Sequence, residues 1–162
     1  MLLSPPGMKR TLLGLVIALS AAQVVSCVPL ECTEVACSID EGVQIRVKGA
    51  TSTFASDLPV TLVACVNKAC RTFTVEDVNG TVECKDAENP GSLEAFCSAF
   101  DGDVDITVTA TLGDEASVQV SISDASGNVL FDETQSVTIV DTHPNGEGCA
   151  PTCREGKATF IP

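Results

Sequence analysis

Apolar and polar residues alternate with a period of two through most of the chain beyond residue 42, the pattern of half-buried β-strands. Gly42 opens the first such run, in which Val43, Ile45 and Val47 alternate with Gln44, Arg46 and Lys48. Gly49 to Asp57 reads as a polar loop. Val60–Val66 and Ala69–Glu76 are rich in β-branched residues and are joined by Asn67-Lys68. A two-residue turn fixes a hairpin's register. Leu62 then faces Phe73, Val60 faces Val75, and Cys65 faces Cys70 on the opposite side of the sheet. Asn79-Gly80 marks another turn, leading to a short stretch ending at Cys84. Lys85 to Ala99 lacks periodicity and reads as irregular, with one helical turn over Ser92–Phe96 after Pro90-Gly91. Alternation returns in Val104, Ile106, Val108, Ala110 and Leu112, and after Gly113-Asp114 in Val118, Val120 and Ile122. Asp124–Asn128 turns the chain toward Val129-Leu130-Phe131. Gln135–Val140 and Lys157–Ile161 are the last strands, separated by a Pro- and Gly-rich loop from Thr142 to Glu155.

About seven to nine short strands, with turn signals every eight to twelve residues, predict an all-β fold: an antiparallel β-sandwich. In this spacing the chain resembles immunoglobulin-like domains, and Val118–Val140 looks like the hairpin core of bacterial sandwich modules. It has no Trp, and its cysteines do not follow the usual inter-sheet spacing, so strand topology stays open. Cys32–Cys37, Cys65–Cys70 and Pro144–Cys149 also look like segments of small exported bacterial proteins of unassigned function, a similarity that brings no activity with it.

The N-terminus is patterned differently. Lys9 and Arg10 precede an apolar run, Leu12–Ala22, and a small residue, Ser26, precedes Cys27, as in a secretory signal. The run falls short of the roughly 20 apolar residues of a membrane span. Val24-Val25-Ser26-Cys27 looks like the bacterial lipobox: aliphatic, small or β-branched, small, then cysteine. That resemblance implies that Cys27 becomes a lipidated N-terminus. Residues 1–7 add nothing to a signal, whereas Met8-Lys9-Arg10 begins one in the usual way, so translation is expected from Met8. The division is then a signal peptide over 1–26, a lipidated tether over 27–41 and a β-sandwich domain over 42–162.

Cysteine arithmetic agrees with the motif. Without Cys27, eight remain of nine: Cys32, Cys37, Cys65, Cys70, Cys84, Cys97, Cys149 and Cys153. An even number suits a closed disulfide framework in an oxidising compartment. The spacings are neither paired zinc knuckles nor a thioredoxin-like motif. Local geometry favours Cys32–Cys37, Cys65–Cys70, Cys84–Cys97 and Cys149–Cys153, with Cys65–Cys70 the best founded. In the alternative, Cys32 or Cys37 pairs with the C-terminal loop.

The mature chain, Cys27 to Pro162, has 136 residues, enough for one core. Seven basic residues face 22 acidic ones in it, a net charge of −15. Such a surface repels nucleic acid and anionic headgroups, so membrane contact should come from the acyl chains alone. Trp and Tyr are absent, and six Phe are expected in the core rather than on a stacking platform for sugars or single strands.

Candidate chemistry is sparse. His143 is the lone histidine, in a Pro/Gly loop, and there is no GxSxG elbow. Asp101, Asp103 and Asp105 alternate as calcium ligands can, but Gly102 and Ile106 depart from an EF-hand loop and a solvated strand face is the plainer use. The sequence therefore predicts a non-enzymatic binding or structural module without a cofactor, lipid-anchored outside the cytoplasmic membrane. Val28 after the cysteine favours the outer membrane in a two-membrane bacterium. The competing classes are an extracytoplasmic enzyme and a calcium- or metal-handling envelope protein.

Overall fold

The structure, a computed structural model, describes residues 35–37 and 41–162. Ten strands follow one another: β1 (Glu41–Val47), β2 (Val60–Val66), β3 (Ala69–Val78), β4 (Thr81–Gly91), β5 (Glu94–Phe100), β6 (Asp103–Thr109), β7 (Glu115–Ser123), β8 (Val129–Thr138), β9 (Val140–Thr142) and β10 (Cys153–Phe160). One short helix, α1 (Ala50–Thr53), lies between β1 and β2. The strands form two five-stranded sheets, in the orders β5-β6-β1-β10-β9 and β4-β3-β2-β7-β8. Every neighbouring pair is antiparallel except β1 and β10. The fold is all-β, as the alternation predicts.

One apolar core fills the space between the sheets. The inward residues of β1, β2, β6 and β7 are those picked out by period two: Val43, Ile45, Val47, Leu62, Ala64, Val104, Ile106, Val108, Val118, Val120 and Ile122 are all buried. Phe131 of β8 and Phe160 of β10 meet edge to face across the sheets, with ring centroids 6.3 Å apart. Edge-to-face contact aligns one ring's positive rim with the other's negative face.

The β2–β3 hairpin has the register its turn demands. Val60 pairs with Val75, Leu62 with Phe73 and Cys65 with Cys70. Asn67 and Lys68 both adopt positive φ, 49° and 72°, as a primed two-residue turn requires. Lysine is a poor residue for that conformation. Asn67 compensates by bonding to β7: its N–H donates to the Ser117 carbonyl, and its Oδ1 accepts the Ser117 N–H, each at 2.9 Å.

Three expectations need correction. Residues 85–99 hold no helical turn: apart from the bend at Ser92 and Leu93 they belong to β4 and β5. Their alternation is hidden because both are edge strands, with polar residues along β4 and small inward residues, Ala95 and Ala99, in β5. Gly91 ends β4 at φ 96°, where an added Cβ would sit 2.3 Å from the Cys70 carbonyl oxygen, so only glycine fits. The loop after β1 is not wholly polar, because α1 buries Ala50 and the following Phe54 packs into the core. Finally, Val129–Phe131 and the run starting at Gln135 are one strand, β8, and β10 begins at Cys153, earlier than the periodicity suggests.

The two flanks of the sheets close differently. At one, Cys84 of β4 is bonded to Cys97 of β5, joining the edges of the two sheets covalently. At the other, the chain itself crosses from β8 in one sheet to β9 in the other through buried Ile139. Gly156 of β10 makes room for that crossing: a Cβ there would lie 2.6 Å from Ile139 Cδ1 and 2.7 Å from Val137 Cγ1.

Candidate functional site

The parallel pairing of β1 with β10 creates a heavily tied region. It sets Glu41 beside Arg154 and so brings the chain entering β1 next to the start of β10. There Cys37 is disulfide-bonded to Cys153, at a sequence separation of 116. This replaces the local pairs expected for those two cysteines: neither Cys32–Cys37 nor Cys149–Cys153 can form. The alternative that joins the N-terminal segment to the C-terminal loop holds for Cys37. Cys149 is also disulfide-bonded, and Cys65–Cys70 and Cys84–Cys97 are paired as expected. Cys27 and Cys32 lie outside the described residues.

Asn145 reinforces the tie. Its Oδ1 accepts the Val35 N–H at 2.7 Å, and its Nδ2 donates to the carbonyls of Val35 at 2.9 Å and Ala150 at 2.6 Å. One buried amide thus grips the N-terminal segment and the C-terminal loop together, with its hydrogen-bonding capacity largely used. Close by, Arg154 donates to the Leu112 carbonyl at 3.0 Å and to Asp114 at 2.7 Å, while Glu41 accepts the Leu112 N–H at 2.8 Å. Sequence reasoning missed Asn145 and Arg154. Asn145-Gly146 looked like turn chemistry, and nothing local signals that its partner lies 110 residues away.

The outer face of the first sheet is the second region of note. A shallow groove runs over β6, β1 and β10, lined by Gln44, Arg46, Asp105, Thr107, Lys157 and Thr159. Arg46 and Asp105 are directly paired across β1 and β6, in a two-pronged contact of 2.6 and 3.0 Å. The Asp105 carboxylate, first by hydrogen bonding and then by its charge, raises the Arg46 guanidinium above its usual range. Beside this polar strip, Phe96 and Phe100 stand out from β5, 69% and 80% exposed. The expectation that the phenyl rings serve the core holds for Phe54, Phe73 and Phe160 and fails for these two. Their face of β5 also carries Glu94 and Ser98, so the usual inside-outside alternation is inverted in residue size.

The other candidates are dispersed. Asp105 is engaged by Arg46, Asp103 accepts the Gly49 N–H at 2.9 Å, and Asp101 sits in the β5–β6 turn at φ 51°. Among the described residues, no group of three or more His, Cys, Asp or Glu side chains is placed to share a cation. His143 is exposed, with Nδ1 3.3 Å from the Thr152 hydroxyl. No known family model, curated protein or solved structure matches this chain. Function must therefore be argued from the residues themselves. Three disulfides among the described residues, with Cys149 bonded as well, point to an oxidising, extracytoplasmic environment. No helix among the described residues is long and apolar enough to cross a membrane.

Proposed function

We propose that this chain is a lipid-anchored, immunoglobulin-like sandwich that serves as a binding or structural module of the bacterial cell envelope, held to the membrane through Cys27. The observation that carries the reading is that all seven described cysteines are disulfide-bonded. A framework so fully oxidised suits an exported protein, and it leaves one cysteine over from the pair Cys27 and Cys32, the first of which stands at the end of a lipobox-like signal. The reading requires that Cys149 bond to Cys32. Multiple acyl chains on Cys27 would hold the protein far more firmly than the marginal binding of one. The acidic surface adds no attraction to anionic headgroups.

Mass spectrometry of the mature N-terminus tests the anchor: a diacylglyceryl-modified, N-acylated Cys27 is expected, and an unmodified start overturns it. Non-reducing peptide mapping gives an independent check. A peptide joining Cys149 to Cys27 rather than Cys32 would remove the cysteine the lipid needs. The module reading excludes hydrolysis, given an exposed His143 whose described neighbour is a threonine hydroxyl. Turnover in an esterase, protease or glycosidase screen that disappears in His143→Ala would reverse it.

A further inference from the structure

Each sheet has two edge strands: β5 and β9 in one, β4 and β8 in the other. An edge strand offers unpaired backbone groups to any passing strand, and proteins usually guard it with charges or proline. Three of these edges are guarded: β4 by Glu83, Lys85, Asp86, Glu88 and Pro90, β8 by Asp132 and Glu133, and β9 by Asp141. The exception is β5. Its one charge, Glu94, stands at its start, and from Ala95 to Phe100 it carries none, in a chain with 22 acidic residues. It pairs with β6 on one side only, and it carries the two exposed rings.

The rings are placed symmetrically, two residues on either side of Ser98. We propose that β5 is a self-association edge, pairing antiparallel with β5 of a second copy about a two-fold axis at Ser98. In that register Phe96 of each copy lies opposite Phe100 of the other, giving two cross-strand aromatic pairs on one face. The carboxylates flanking the seam do not oppose one another: Glu94 meets Gly102, and Asp101 meets Ala95. The contact is isologous, so it closes at two copies instead of growing into a filament. A second copy is the occupant this geometry fits, because the ring spacing matches itself about Ser98 and the uncharged stretch sets no like charges opposite one another. The inference is independent of the lipid anchor.

Sedimentation velocity of the mature chain in detergent, over a wide concentration range, tests it. The wild type should dimerise, and Phe96→Asp with Phe100→Asp should weaken dimerisation roughly a hundredfold or more, since two aromatic pairs are replaced by opposed like charges. Should that variant misfold by circular dichroism, Phe96→Ser with Phe100→Ser gives the same reading without added charge. Ser98→Cys should form a disulfide-linked dimer, because directly opposite residues lie within disulfide reach, whereas Thr134→Cys on the guarded β8 should not. A monomeric wild type, or a dimer that survives loss of both rings, overturns the proposal. A monomer whose retention on envelope polysaccharide depends on the rings would assign them to a sugar, and would overturn it equally.

Discussion

The Cys65–Cys70 hairpin and the Cys37–Cys153 tie use the same bond for different ends. In the hairpin, a two-residue turn and the facing pairs Leu62–Phe73 and Val60–Val75 already define the register. The disulfide spans five residues and adds little that the turn has not done. At the other site no local geometry brings the partners together. The first strand finds the last through parallel pairing, and a bond at a separation of 116 then holds that pairing. A staple matters in proportion to what the unfolded chain would otherwise be free to do.

The largest expected effect is the direct test of that difference. Replacing Cys37 and Cys153 together by serine, in a chain already carrying Cys32→Ser and Cys149→Ser so that no second bridge closes the same loop, should cost up to about 4–5 kcal/mol by the chain-entropy relation, against about 2 kcal/mol for Cys65 and Cys70. Urea unfolding of the two double variants measures both. Equal losses would mean that the unfolded chain already keeps its ends together.

Next comes the hairpin's neighbour. Gly91→Ala places a methyl against the Cys70 carbonyl oxygen in a left-handed conformation, and should cost about 1–3 kcal/mol. The damage should stay local, visible as faster hydrogen exchange in β3 and β4. Asn145→Ala breaks the clasp without touching a disulfide. It leaves the Val35 N–H without its side-chain acceptor and should cost about 1–3 kcal/mol. Proteolysis near Val35 should accelerate, while the hairpin stays protected.

The smallest effect is electrostatic and lies beside the hairpin. Arg71 bonds Asp86 at 2.9 and 2.7 Å and, chiefly through that hydrogen bonding, holds its carboxyl below the usual range. A carboxyl whose folded pKa is depressed contributes stability above its unfolded value, near pH 4, and loses it as the pH falls through the folded value. Asp86→Asn should therefore lower stability slightly at neutral pH, leave it nearly unchanged at pH values below the folded pKa, and so flatten the acid limb of the stability curve. The pair is exposed, so its contribution is modest.

The same contrast explains how much could be read in advance. The hairpin was legible because its information is local: two β-branched runs, a two-residue link and facing cysteines. Cys84–Cys97 was legible by elimination. The Cys37–Cys153 tie was not, because Asn145 and Arg154 act on partners 110 and 42 residues away, and Cys153 is matched to Cys37 only through sheet order. Strand β5 was misread for a different reason: alanines face the core and phenylalanines face solvent, so the apolar pattern carries no inside or outside. An edge strand under disulfide constraint does not need the alternation that an interior strand does.

The Cys37–Cys153 bond also redirects mechanical load. Tension entering through Cys37 and leaving at the C-terminus passes straight to the head of β10, and the ring of chain closed by the bond lies outside the path. Only the residues after Cys153 can be drawn out. Most of them already lie extended in β10, at about 3.3 Å per residue, so pulling them straight adds little length. With the cysteines reduced, the same pull could unravel the whole domain strand by strand, so oxidation fixes the length of the protein as well as its stability.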